Sequence, residues 1–432
     1  MDYFPRVLVI GQPFHRNSGP GITISNLFEN WPREKLALVA DTKNIQRNDF
    51  SICPKAYRLG NKEFKILFPF NFLFRTGKSG QLIQQDKQKA AIKINKKNKF
   101  YLLFEWLFFS LGFNMFAFRI KLSKNLLNFI RDFNPEIIYS QLGKLELIYI
   151  VNEIKKEFKI PLAIHFMDDW PLSLGRGPLK KYWKKKIDKN LRHLLRNTDI
   201  SFAISEGMKD AYTFRYQKEF SCFHNPIDPT KWKIQLNVST NVNKEYSILY
   251  TGRIRRNHSK SIFDLIKVIG RLKKRGILIN FDIYTNDWNS RLTIKLSQNK
   301  NVNIYSSISH LNIPDLLIKY DLLFLPLEFS SWSQQFVKYS MPTKAPEYMI
   351  SGVPIFIYAP EQTELVRHAR LNNWAFINSD NNLTELENKL LESLKDKKIR
   401  IQISSNAIKY ATNNYSSEKV LNNFRNSFIE LL

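Results

Sequence analysis

The chain has 432 residues, 44% of them apolar and 14% aromatic, which is material for two or three domains with sizeable cores and excludes a disordered chain. Sixty-six basic residues against 38 acidic ones leave a net charge of +28, which favours a polyanionic neighbour without choosing among nucleic acid, an anionic membrane face and a phosphorylated substrate. Cys53 and Cys222 are too few for a disulfide framework and lack metal-ligand spacing, so the expected compartment is a reducing cytoplasm.

The N-terminal stretch "MDYFPRVLVIGQPF" carries an acid at position 2 and runs straight into a strand, unlike a signal peptide, so export is not expected. After the first strand, "RVLVIG" (6–11), the turn "GQPFHRNSGPGITISNLFENW" (11–31) places Gly19, Pro20 and Gly21 ahead of Thr23 and an amphipathic helix. Glycines let backbone N–H groups approach an anion, and a helix N-terminus adds positive potential. The spacing is not that of a GxGxxG dinucleotide turn, and a plain strand-to-helix turn is the competing reading. "LALVAD" (36–41) is the next strand, and "DKQKAAIKINKKNK" (86–99) reads as a basic loop or solvated helix.

The stretch "FYLLFEWLFFSLGFNMFAF" (100–118) has the length of a membrane span but carries Glu105 and Asn114. A mid-bilayer carboxylate costs about 2.5–3.5 kcal/mol, so the segment is read as core aromatics or as a membrane-facing surface instead. Strands follow at "EIIYSQ" (136–141), "PLAIHF" (161–166) and "ISFAIS" (200–205). The fourth of these five strands ends in "IHFMDDWP", where His165, Asp168 and Asp169 suit hydroxyl binding or acid–base chemistry; a structural histidine is the plainer alternative. The segment "LKKYWKKKIDKNLRHLLR" (179–196) carries eight Lys or Arg and one acid, Asp188.

After a polar connector, 235–246, the alternation restarts with strands at 247–252, 279–285, 301–306, 321–327, 353–359 and 374–378, and helical segments at 260–275, 310–320 and 383–396. The expectation is an α/β protein of two doubly wound Rossmann-like domains facing a cleft, residues 1–235 and 236–410, with a C-terminal helix over 411–432 packing back across the junction.

"LYTGRIRRNHSKSIFDLI" (249–266) delivers Arg253, Arg255, Arg256 and Lys260 from a strand end into the next helix, a pattern suited to a diphosphate. "TKAPEYMISGVPIFIYAP" (343–360) supplies the complement: Thr343 and Lys344 toward phosphate, and Glu347 to accept hydrogen bonds from ribose hydroxyls. Gly352 and Pro354 end that helix and launch a strand. Read blandly, each segment is a helix start, one basic and one with an acid in its first turn.

Taken together, "TDISFAISEGMKDAY" (198–212), "HNPIDPTKW" (224–232), "ILYTGRI" (248–254), "LNIPDLLIKYDLLFLPL" (311–327) and "SMPTKAPEYMISGVPIFIY" (340–358) resemble the retaining GT-B glycosyltransferases of the family-4 type, which assemble bacterial polysaccharides and glycolipids. The resemblance covers most of the chain. It implies a nucleotide-sugar donor held by the C-terminal domain, a glycan or lipid-linked acceptor held by the N-terminal domain, and no required metal. The family's glycine-rich loop falls on Gly19 and Gly21, its sugar-contacting histidine on His165, its diphosphate-binding basic pair on Arg253 and Lys260 with Arg256 competing, and its ribose-binding glutamate on Glu347. Asp168 and Asp169 are candidates for acceptor or sugar hydroxyls. One departure stands out: where the family pattern has a second glutamate, this chain has Tyr339. Glu328 is a candidate substitute, and Lys344 resembles the lysine that takes over contacts on that side in a subset of the family. The implied mechanism is a front-face displacement in which the leaving diphosphate draws the acceptor proton and the protein supplies placement and positive charge.

Aromatics interleaved with lysines over 60–125 and the basic run 179–196 suit peripheral docking to an anionic inner membrane face, at about 1 kcal/mol per well-placed cation. The rivals are an inactive GT-B scaffold, another two-domain nucleotide-sugar enzyme such as an epimerase, and a basic nucleic-acid binder. The last leaves Arg253 and Glu347 without a purpose, so no nucleic-acid partner is expected.

Overall fold

The computed structural model describes residues 3–16, 18–66, 77–82, 103, 106–108, 118–173, 178–234, 236, 245–254, 258–287 and 290–432. The chain divides into two compact units, Met1–Phe223 with Leu421–Leu432, and His224–Val420.

The first unit carries an eight-stranded sheet in the order β10-β9-β8-β7-β1-β2-β3-β5. Its strands are β1 (Val7–Ile10), β2 (Leu36–Asp41), β3 (Lys55–Leu59), β5 (Gly80–Leu82), β7 (Ile137–Gln141), β8 (Leu162–Phe166), β9 (Ile200–Ala203) and β10 (Ser221–Cys222). All pair in parallel except β5, which runs antiparallel to β3 at the edge. A separate ribbon joins β4 (Phe64–Ile66) and β6 (Phe118–Ile120). β1, β7 and β8 are buried at every residue, as expected of strands covered by helices on both faces. The expected apolar runs fall on strands; β3 lies outside that expectation because Lys55 and Arg58 dilute its apolar pattern, although Ala56, Tyr57 and Leu59 are buried.

The second unit holds six parallel strands in the order β13-β12-β11-β14-β15-β16. They are β11 (Glu245–Thr251), β12 (Leu278–Thr285), β13 (Val302–Ser306), β14 (Leu322–Pro326), β15 (Ile355–Tyr358) and β16 (Phe376–Asn378). One face is covered by the helices Ser259–Lys274 and Leu383–Lys395, through Ile262, Leu265, Leu386 and Leu390. The other is covered by Ala345–Ile350, Glu364–Asn372 and Lys397–Tyr415, through Tyr348, Leu365, Ala407 and Ala411. The doubly wound α/β expectation holds for both sheets. In each, the strand order reverses direction next to the first strand, which opens a crevice at the carboxyl ends, between β1 and β7 and between β11 and β14.

The C-terminal stretch forms two helices, Lys397–Tyr415 and Ser417–Ile429. They break at Ser416, where Ile227 donates to the Tyr415 carbonyl at 2.8 Å and accepts from Ser417 N–H at 2.7 Å. Phe424 and Phe428, one helical turn apart, close an aromatic cluster of the first unit with Phe28, Trp31, Tyr139 and Phe202. Among the described residues no helix is long and apolar enough to cross a membrane. The basic run 86–99 and most of 100–118 lie outside the described residues.

Candidate functional site

In the second unit, Gly252 directly follows β11 at the strand-order reversal, with φ +136° and its N–H donating to the Tyr284 carbonyl at 2.8 Å. A Cβ there would stand 2.5 Å from the Nζ of Lys344. The backbone angle favours glycine, and the space a Cβ would take is filled by the end of the Lys344 side chain. Lys344 Nζ donates to the Thr251 carbonyl and lies 4.1 Å from the centroid of the Tyr250 ring. Among the described residues the Thr251 carbonyl is its one hydrogen-bond acceptor. Burial pushes its pKa down to about 7, with the nearby Glu347 carboxylate opposing the shift.

Lys344 and Glu347 are positioned by the short helix Ala345–Ile350, which Pro346 starts and which ends at Ser351, ahead of Gly352 with φ +73°. Tyr348 ties this helix to β11: its hydroxyl accepts from Thr251 N–H at 3.0 Å and pairs with the Thr251 hydroxyl at 3.0 Å. The Thr343 carbonyl accepts from Asn225 Nδ2 at 3.1 Å. Glu347 is only 7% exposed, and its Oε1 accepts from His310 Nε2 at 2.8 Å. Its second oxygen accepts from no described residue.

The fold thus brings together Thr343, Lys344 and Glu347 with the Gly252 turn, and Arg253 adjoins that turn, its carbonyl accepting from Tyr250 Oη at 2.8 Å. Lys260 is engaged elsewhere: its ammonium bonds Asp264 at 2.8 Å and Asn381 at 3.2 Å. Arg256 lies outside the described residues. Glu328, at the end of β14, is 7% exposed and accepts from the Ser330 hydroxyl at 3.0 Å. Tyr339 is half-buried, with Lys338 Nζ 5.1 Å from its ring centroid. Nothing in the sequence singles out His310, Tyr250 or Tyr348. No local pattern in "SSISHLN", "ILYTG" or "PEYMISG" marks them, since Glu347, Lys344 and Thr251, which they contact, come from other elements.

In the first unit, Gly19 and Gly21 open the helix Gly19–Leu27, with Ser18 as its N-cap residue. A Cβ on Gly21 would collide with the imidazole of His15, so this glycine lets a ring pack on the helix start. His15 was not singled out either. His165 sits within β8 and is wholly buried; its Nδ1 bonds the Tyr139 hydroxyl at 2.8 Å, and that hydroxyl accepts from Gln141 Nε2 at 3.2 Å. Nε2 faces the Ala203 and Phe223 carbonyls without a well-formed hydrogen bond. Desolvation pushes the ring's pKa down to about 3, so it is neutral, and no atom of it reaches the surface. Asp169 accepts two hydrogen bonds from Arg215, at 2.8 and 2.9 Å, and one from Tyr212 at 2.8 Å. That carboxylate is committed to a buried ion pair, and the half-buried Asp168 beside it is the more accessible of the two.

Residues 233–410, the sequence that builds the Gly252–Lys344–Glu347 arrangement, match the family described as Glycosyl transferases group 1. No curated protein sequence matches the chain. Among solved structures, sucrose-phosphate synthase from Thermosynechococcus elongatus superposes with a TM-score of 0.62 at 11% identity, covering 98% of each chain. HepE from Anabaena, in complex with UDP and glucose, gives 0.61 at 12% identity, covering 99% of this chain and 100% of its own. The lipopolysaccharide outer core galactosyltransferase WaaB gives 0.53 at 14% identity, covering 99% of both. At these identities the likeness is one of fold: two Rossmann-like parallel α/β sheets, as in GT-B glycosyltransferases.

Proposed function

We propose that this chain is a glycosyltransferase that moves a sugar from a nucleotide-sugar donor to a hydroxyl of a glycan or lipid-linked acceptor, with retention of configuration and without a required metal. The observation that carries the reading is the Lys344 ammonium, held under Gly252 with a single described acceptor, one helical turn from the open oxygen of Glu347. A diphosphate at Gly252 gains the ammonium as a charge-assisted donor and has Arg253 next in the chain. Glu347 then accepts from the ribose hydroxyls. In the reaction the bond between the sugar's anomeric carbon and the diphosphate oxygen breaks, the acceptor oxygen bonds that carbon on the same face, and the acceptor proton passes to the departing diphosphate. Lys344 and Arg253 stabilise the charge that develops there. Thr343 stands as a further donor-side contact, Lys260 becomes one by leaving Asp264 and Asn381, and Asp168 stands as a hydroxyl contact. His165 and Asp169, as placed, support the fold.

The test is calorimetric binding of UDP, GDP and ADP, each with and without EDTA, beside a Glu347→Ala variant. Binding of one nucleoside diphosphate that survives EDTA and weakens in the variant is the expected result; no binding, or an indifferent variant, overturns the reading.

The same proposal includes docking to an anionic membrane face through the helix Lys180–Arg196. Trp183, Ile187, Leu191, Leu194 and Leu195 bury one side of it, while Lys181, Lys185, Lys189 and Arg196 are exposed, next to Leu179 and Tyr182. That pairing of cations with exposed apolar groups suits a negatively charged leaflet.

A further inference from the structure

His310 stands on the 3₁₀ turn His310–Asn312, on the loop that follows β13 and 37 residues before Glu347, and its side chain keeps 27% exposure. Its Nε2 donates to Glu347 Oε1 at 2.8 Å, while the carboxylate itself is only 7% exposed. Nothing in the short helix that carries Glu347 fixes the rotation of this side chain, and the neighbouring Lys344 ammonium turns to the Thr251 carbonyl. His310 is thus the one described hydrogen-bond partner that sets which carboxylate oxygen is occupied and which is open. A carboxylate held by one oxygen presents the other at a fixed position, which is what recognition of a pair of neighbouring hydroxyls needs.

We infer that His310 is a positioning residue that makes the donor site selective for the ribose of a nucleoside diphosphate, by orienting Glu347 so that its second oxygen receives the ribose hydroxyls. The inference rests on the donor-site reading above and deepens it. A buried acceptor left unmatched weakens binding by about tenfold or more, so a properly held Glu347 discriminates strongly against a sugar lacking hydroxyls. With His310 gone the carboxylate swings toward Lys344 or water, and that discrimination goes with it.

The experiment is a calorimetric cycle on the full chain with UDP, 2′,3′-dideoxy-UDP and inorganic pyrophosphate, on the wild type and on His310→Ala and His310→Gln. UDP is the probe because HepE of the same fold holds it. The wild type is expected to prefer UDP over the dideoxy compound by about tenfold or more. His310→Ala is expected to bring that ratio close to one with pyrophosphate binding unchanged, and His310→Gln, which keeps an N–H donor, to restore most of the ratio. A ratio that survives His310→Ala, or UDP and pyrophosphate weakening in parallel, overturns the role of His310. Absence of UDP binding to the wild type, with GDP and ADP also silent, overturns the donor-site reading itself. If His310→Ala does not fold, His310→Phe, which keeps the ring volume without the donor, runs the same cycle.

Discussion

The Nζ of Lys344 lies 4.1 Å from the ring centroid of Tyr250, with the Thr251 carbonyl as its one described hydrogen-bond acceptor and the Gly252 turn as its roof. A cation is held here largely by a π-face and one peptide oxygen. Desolvation that would ordinarily be repaid by a carboxylate is repaid only in part, because Glu347 is turned to His310.

The first prediction concerns pH. Lys344 has a pKa of about 7 in the folded chain against 10.5 for an ordinary lysine, so between those values the unfolded state holds a proton that the folded state lacks. Stability from this group is therefore lowest below pH 7, where both states are charged and burial is fully penalised, and rises as pH climbs toward 10.5. Lys344→Met is expected to stabilise the free protein by on the order of 3 kcal/mol at pH 6, with the gain fading toward pH 10. Denaturant melts at the two pH values check it.

Binding follows the opposite course. A diphosphate raises the pKa of Lys344, so proton uptake accompanies binding and affinity falls as pH rises above about 7, by at most tenfold per pH unit. Titrations in buffers of different ionisation enthalpy measure the proton count. Uptake near zero at pH 8 would separate Lys344 from the ligand.

Gly252→Ala adds a carbon 2.5 Å from Lys344 Nζ at a φ of +136°. We expect a loss of about 1–3 kcal/mol in stability and at least a tenfold loss in UDP affinity, since both the backbone angle and the ammonium must shift. Thermal melting and calorimetry read the two effects separately.

Arg215→Ala leaves the Asp169 carboxylate, 1% exposed, with the Tyr212 hydroxyl as its remaining side-chain donor of the three described bonds. Breaking a buried pair from one side costs about 3–5 kcal/mol, and the double variant Arg215→Met with Asp169→Asn is expected to recover a large part of it. Because this pair is structural, UDP binding by the surviving folded fraction stays unchanged, which equilibrium melts and binding at low temperature check.

Phe424→Ala opens a cavity in the aromatic cluster with Phe28, Tyr139 and Phe202 and is expected to cost about 3–5 kcal/mol. A variant as stable as the parent would show that the helix Ser417–Ile429 is not integral to the first unit.

Apolar runs marked the central strands of both sheets, because a strand buried on both faces must be apolar along its length and so announces itself locally. All six strands of the second unit fell on expected runs, and so did Thr343, Lys344 and Glu347, whose helix start is marked by Pro346 and whose end is marked by Gly352. β3 escaped because Lys55 and Arg58 interrupt its apolar pattern at positions that are not buried. What the tertiary structure alone decided is which charged groups have partners. His310 reaches Glu347 across 37 residues, Lys344 reaches Thr251 across 93, and Arg215 takes Asp169 across 46. Residue identity sets what a side chain is able to bond, but burial and distance decide which bond it makes. Those two quantities exist only once strands far apart in sequence lie side by side.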